Sequence, residues 1–284
     1  MDRYTQAIAA SKVPVDEATV KAEVQKILDK AGDYATPETF RFLLQSIDLT
    51  TLSSEDSQHS VAEFTRKVNE FDNDYPQYGH VAAICVYSNF AEVVDTELDV
   101  EGVDVAVVAG GFPSSQTFTA VKVADVALAV AGGADEVDVV MNLGMLRDKN
   151  YEELTDELVE LKHTAKDALL KVILETGALR TPHAIREASV LALYSEADFI
   201  KTSTGKTPVS ATTEAFYVML KVIERYAAQG RVVGIKPAGG ISSVEGALPY
   251  FKLVYQILGE KWMNPSLFRI GASRLADALY NASR

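Results

Sequence analysis

From residue 41 onward, short apolar runs rich in Val, Ile and Ala recur at 43–49, 80–87, 103–109, 135–141, 169–175, 197–202, 231–236 and 267–271. Runs of this length, rich in β-branched residues, predict buried strands. Longer amphipathic stretches separate them. Between Tyr151 and Ala168, Leu154, Leu158 and Leu161 return on one helical face. The stretches 117–131 and 212–228 have the same character. Apolar runs alternating with helices predict parallel strands joined by crossovers. Eight such units in about 240 residues match an α/β chain closed into a single (β/α)8 TIM barrel. An open doubly wound sheet is the competing arrangement. No Gly-x-Gly-x-x-Gly follows the first run, which weighs against a dinucleotide-binding version of it.

Residues 1–40 carry a different pattern. Val20, Val24, Ile27 and Leu28 repeat at helix spacing, and Pro14 and Gly32 punctuate the segment. It reads as an N-terminal helical extension packed on the barrel of residues 41–284. The start, Met1-Asp2-Arg3-Tyr4, lacks the basic and apolar regions of a signal peptide.

The 284 residues are 48% hydrophobic and 24% charged, with 27 Lys and Arg against 40 Asp and Glu. A formal charge of −13 repels nucleic acid and anionic lipid, and no basic run offsets it. Neither nucleic acid nor membrane is expected as a partner. A small anionic substrate is compatible, because a few lysines in a pocket outweigh a distant, screened field. A homodimer is left open. Cys85 is the single cysteine, which excludes an intrachain disulfide and fits a reducing, cytoplasmic setting. His59, His80, His163 and His183 are scattered without metal-ligand spacing, so neither a metal nor another cofactor is expected.

In this fold chemistry gathers at the C-terminal ends of the strands. Those ends carry Asp48, Cys85, Gly110-Gly111, Asp138, Glu175, Lys201, Lys236 and Ser273. Lys201 and Lys236 each stand where an apolar run meets a glycine-bearing loop. An ammonium at the edge of a core is costly unless it is paired or its proton is loosened, and a neutral lysine attacks carbonyl carbon. Two such lysines on neighbouring repeats point to Schiff-base chemistry; rim lysines with heads in water are the plain alternative. Glu136, Asp138 and Val140 share a strand face, which brings Asp138 toward the lysines as a proton carrier or as a structural ion-pair partner. Thr204-Gly205-Lys206-Thr207 is not a P-loop, since position 200 is Ile. Backbone N–H groups around Gly205 and Gly239-Gly240, with Gly271-Ala-Ser273 after the eighth run, predict a phosphate cradle. Cys85 reads as a buried small hydrophobe rather than a nucleophile.

Ile47-Asp48-Leu-Thr-Thr-Leu52, Ala82-Ala-Ile-Cys85-Val-Tyr87, Glu136-Val-Asp138-Val-Val140, Phe199-Ile-Lys201-Thr-Ser-Thr-Gly-Lys206, Lys236-Pro-Ala-Gly-Gly240 and Phe268-Arg-Ile-Gly-Ala-Ser273 together resemble the deoxyribose-phosphate aldolase family. The resemblance spans about residues 41–280. It implies a metal-independent class I aldolase that reversibly cleaves 2-deoxy-D-ribose 5-phosphate to D-glyceraldehyde 3-phosphate and acetaldehyde. Carried over by motif, Lys201 is the Schiff-base lysine, Lys236 the second cation that lowers its proton affinity, and Asp138 the relay with bound water. Asp48 and Cys85 match substrate-pocket positions, and Gly205, Lys206, Gly239, Gly240 and Ser273 match the phosphate side. Arg274 stands where the family often has a small hydroxyl residue. Tyr280 lies near the chain end, where some members carry a tyrosine-ended tail. A Schiff-base aldolase for another phosphorylated substrate and a non-catalytic binding barrel are the competing functions.

Overall fold

The computed structural model describes residues 2–30 and 32–284; Met1 and Ala31, both inside the 1–40 segment of the sequence reading, lie outside the described residues. Eight parallel strands follow in chain order: β1 Ile47–Thr50, β2 Ala83–Tyr87, β3 Asp104–Ala109, β4 Glu136–Val140, β5 Leu169–Ile173, β6 Phe199–Lys201, β7 Gly234–Lys236 and β8 Ile270–Ala272. Each pairs with its sequence neighbour from β1 to β7, and β8 pairs with β1. Parallel bridges Ile235↔Phe268 and Ala238↔Gly271 join β7 to the β8 segment and close the ring. The result is the (β/α)8 barrel that the alternating pattern predicts.

The strands form where β-branched residues can bury both faces. In β2, β3 and β4 the outward Ile84, Val86, Val105, Val107, Val137 and Val139 are buried under the helices. The helices have matching apolar faces and defined starts. Thr213–Ala227 buries eight residues, and the Thr212 hydroxyl accepts from the Ala215 N–H at its start. Each fully buried Leu, Val or Ile contributes about 1.5–3 kcal/mol relative to exposure. Gly234 in β7 has no side chain because the Phe199 ring of β6 fills the space a Cβ would take.

One boundary differs from the sequence reading. The run 43–49 is not one strand: Leu43 and Leu44 belong to the helix Pro37–Gln45, and β1 starts at Ile47. Thr36 caps that helix and Pro37 occupies its first turn, so local helix signals outweigh the apolar run. The same helix crosses position 40. Upstream, the helix Arg3–Ala10 packs on Pro182–Tyr194 through Tyr4 and Tyr194, whose rings are 5.3 Å apart. Glu17–Lys30 buries Val20 and Val24 against Thr213–Ala227 and Val244–Leu258. Among the described residues no helix is long and apolar enough to cross a membrane.

Candidate active site

The barrel interior is charged along its axis. Parallel register puts Lys201 of β6 beside Lys236 of β7, and Asp138 of β4 beside Lys171 of β5. At the C-terminal end, Lys201 Nζ donates to Asp138 Oδ2 at 2.6 Å and Lys236 Nζ donates to the same oxygen at 2.8 Å. Lys236 also pairs with Asp48 of β1. Below this layer, Lys171 Nζ donates to Asp48 Oδ2 at 2.9 Å and contacts Glu136 of β4. Arg269, just before β8, completes the ladder. Its guanidinium donates to Asp48 Oδ1 at 2.8 Å, to Glu136 Oε1 at 2.9 Å and to Asp104 Oδ2 at 2.8 Å.

Burial alone would raise the Asp138 carboxyl, but the Lys201, Lys236 and Lys171 ammonium groups outweigh it and hold it well below the usual carboxylate range. Asp48 is likewise depressed, with burial overcome by Lys171, Lys236 and Arg269. Burial opposes the charge on Lys236, yet Asp138 and Asp48 outweigh burial and raise it far above an ordinary lysine. Glu136 is raised, chiefly by burial. Lys236 is therefore a fixed cation. Four cations, Lys171, Lys201, Lys236 and Arg269, are interleaved with the buried carboxylates Asp48, Glu136 and Asp138 and the half-buried Asp104. Lys201 and Lys236 share one oxygen of Asp138, so the carboxylate keeps a cationic partner in Lys236 whatever Lys201 does.

Access separates the two lysines. A cleft of about 650 Å³ opens at this end of the barrel. Lys201 lines it, at 4% exposure, whereas Lys236 and Asp138 are fully buried and stand behind. Gly205, Lys206, Gly239, Gly240, Ser273 and Arg274 also line it. Gly239 has φ +83° and lies against Gly205, where an added Cβ would come within 3.1 Å of the Gly205 Cα. Only glycine gives that close approach of two loops with their N–H groups free to face an anion. Thr202 and Ala238 exchange hydrogen bonds at 3.0 and 3.3 Å and tie the two loops below the glycines. Lys206 Nζ reaches across to the Leu52 carbonyl at 2.5 Å. The Asp138 Oδ1 atom is buried and, among the described residues, has no hydrogen-bond partner. A carboxylate oxygen so placed can accept from a hydroxyl or water.

A model of the DeoC/LacD family aldolases matches residues 42–249. The chain belongs to that aldolase family. A human protein named deoxyribose-phosphate aldolase is 39% identical over 242 residues, 81% of this chain and 76% of its own length. A Caenorhabditis elegans relative, provisionally given the same name, is also 39% identical, over 92% of this chain and 87% of its own. A crystal structure from Coccidioides immitis, provisionally described as such an aldolase, has TM-score 0.72 and 25% identity over 96% of this chain and 100% of its own. The protein is an aldolase, a carbon–carbon lyase.

Sequence reasoning named Lys201, Lys236 and Asp138, and the fold of the aldolase brings them into contact. It also gathers Gly205, Lys206, Gly239, Gly240 and Ser273 around one cleft. Asp48 and Cys85 stand close to this cluster but behind the cleft wall. Asp48 is fully buried with its oxygens taken by Lys171, Lys236 and Arg269. Cys85 is fully buried among Ala83, Ala106 and Val108, and burial raises its thiol. Neither lines the cleft. Tyr280 packs on Phe71, Tyr75 and Tyr78 at centroid distances of 5.1, 5.0 and 5.1 Å, in an aromatic cluster rather than the cleft wall. Lys171 and Arg269 were missed. Their signal was a single cation inside an apolar run, Leu169-Leu-Lys-Val-Ile173 and Phe268-Arg-Ile270.

Proposed function

We propose that the aldolase reversibly cleaves 2-deoxy-D-ribose 5-phosphate to D-glyceraldehyde 3-phosphate and acetaldehyde, through an imine on Lys201. The observation that carries the reading is the position of Lys201. It is the one lysine of the Asp138 pair that borders the cleft, and the glycine loops and Lys206 line the same cleft. The human relative's name supports the substrate.

In cleavage, neutral Lys201 adds to the C1 aldehyde of the open-chain sugar and water leaves, giving an iminium. The C3 hydroxyl loses its proton and the C2–C3 bond breaks. Its electron pair moves into the iminium to form an enamine, and glyceraldehyde 3-phosphate departs. The enamine takes a proton at C2, and water releases acetaldehyde and restores the amine. The iminium is the electron sink, strongest as a carbanion develops, which is where stabilisation raises the rate. Asp138 stays ionised and, through Oδ1, holds the hydroxyl or water that carries protons to and from the reacting atoms. Lys236 keeps Asp138 ionised between transfers. The glycine loops, Lys206 and Ser273 bind the phosphate and align C1 with the amine. Such an enzyme belongs in the cytosol, in deoxyribonucleotide catabolism, and the unpaired Cys85 is compatible with a reducing compartment.

The test is borohydride reduction in the presence of acetaldehyde, followed by peptide mapping. The adduct is expected on Lys201, and Lys201→Leu is expected to lose it together with at least ~10³-fold in kcat. An adduct confined to Lys236 or Lys206 would overturn the assignment.

A further inference from the structure

The residue two beyond β5 has no part in the chemistry above. Glu175 is buried, and its backbone is left-handed, with φ 52° and ψ 59°. A non-glycine residue holds that conformation only when its surroundings impose it, and such positions cluster at working sites. Its carboxylate serves one loop. Thr204 Oγ1 donates to Oε2 at 2.5 Å, the Thr204 N–H donates to Oε1 at 3.4 Å, and Thr207 Oγ1 donates to Oε1 at 3.2 Å. Thr204 Oγ1 in turn accepts from the Lys206 N–H at 3.0 Å. A continuous chain of hydrogen bonds thus runs from a buried carboxylate to the backbone N–H groups of Thr204 and Lys206, which flank Gly205.

The surrounding packing leaves this loop few alternatives. At Gly177, directly after the Glu175 turn, a Cβ would overlap the Val209 carbonyl. On the other side, a Cβ at Gly239 would lie 2.6 Å from Ser210 Oγ. The loop is wedged between two glycines and tied down by one acid. Gly205 itself has φ +76° and many conformations open to it when unrestrained.

We propose that Glu175 is the positioning residue that preorganises the Gly205–Lys206 loop for the substrate phosphate. The inference rests on the function proposed above. Hydrogen bonds to an ionised acceptor are about twice as strong as neutral ones, so the carboxylate orders the loop better than any neutral side chain of the same size. Ordering before binding removes a conformational cost that phosphate binding would otherwise carry.

Glu175→Gly removes the carboxylate while keeping the left-handed backbone unstrained, and Glu175→Gln keeps the volume and removes the charge. The measurements are KM and kcat for 2-deoxyribose 5-phosphate and unphosphorylated 2-deoxyribose, plus hydrogen exchange of residues 202–210 with and without inorganic phosphate. In the glycine variant KM for the phosphorylated sugar should rise about tenfold or more, with kcat/KM for the unphosphorylated sugar changing far less. Phosphate should protect the loop in the wild type and protect it less in both variants, with the glutamine variant intermediate. Equal losses on both sugars, or unchanged loop protection, would overturn the role of Glu175. Failure of the wild type to form the Lys201 adduct or to prefer the phosphorylated sugar would instead sink the function on which the inference rests.

Discussion

Two buried lysine–carboxylate sites in this molecule make opposite use of the same interaction. Outside the barrel, Lys122 and Glu157 pair at 2.7 Å, with side chains 1% and 2% exposed. Lys122 Nζ also donates to Ser115 Oγ at 2.8 Å, and Glu157 Oε2 accepts from Thr119 Oγ1 at 2.8 Å. One cation meets one anion, both carboxylate oxygens have donors, and neither group lines the cleft. At the barrel mouth, Lys201 and Lys236 compete for a single oxygen of Asp138, and its other oxygen has no donor. Burial and charge are common to both sites. What differs is arrangement and access: the outer pair is closed and satisfied, whereas in the inner set two lysines share one carboxylate oxygen and one of them borders an open cleft. A buried ion pair becomes a chemical device when its balance is incomplete where a substrate can reach it.

The comparison breaks most directly at its shared acid. Asp138→Asn keeps the volume but cannot carry the relay, and a loss of ~10²–10⁴-fold in kcat is expected. The same change on the outer pair, Glu157→Gln, should leave kcat of the folded enzyme near wild type. Steady-state kinetics on both variants check this, and comparable kinetic losses would dissolve the distinction.

Next in size is the stability of the closed pair. Lys122→Met strands a buried carboxylate and should cost ~3–5 kcal/mol, while adding Glu157→Leu should restore most of the loss. Urea unfolding of the single and double variants measures it. A double variant no more stable than the single would mean that the pair acts through more than its own charges.

The cleft wall sharpens the contrast by smaller amounts. Lys206→Ala should reduce kcat/KM for the phosphorylated sugar by about tenfold more than for unphosphorylated 2-deoxyribose, through loss of a charge-assisted contact. Arg274→Ala should act in the same direction but less, because its side chain stands at the exposed rim of the cleft. Equal effects of Lys206→Ala on the two sugars would remove phosphate contact from its role.

The smallest effect concerns acid. The folded-state carboxyl of Asp138 is held below its unfolded value, so its contribution is present above that value, about 3.9, and is lost as pH falls toward the folded one. The stability difference between wild type and Asp138→Asn should stay level from pH 8 to pH 5 and change only below about pH 4. Denaturation across that range checks the sign. A change centred near neutral pH would show that Asp138 is protonated there, contrary to its two-lysine environment.

The legible part of the site was local. Lys201, Lys236 and Asp138 sit at the ends of apolar runs, and period-two alternation sends alternate residues inward. The glycine pairs marked loops that approach each other closely. The ladder beneath was not legible in this way. Lys171 and Asp48 are 123 positions apart, and Arg269 and Asp48 are 221. No spacing rule links such residues. Leu43 and Leu44 went the other way: an apolar run read as strand was claimed by a capped helix. Asp48 lay at a strand end in the sequence, yet the cations around it turn it into support for Lys236 rather than a group facing the cleft.

By itself the sequence determined the eightfold strand–helix alternation, the burial of the strands and the loop chemistry at their ends. These follow from residue periodicity and turn preferences, which act over a few residues. The tertiary structure decided which of two lysines borders the cleft, which carboxylate they share, and which oxygen is left without a donor. Those outcomes depend on barrel closure and strand register, which set distances between residues far apart in the chain to within an ångström. Charge interactions and hydrogen bonds are sensitive on that scale, and sequence patterns are not.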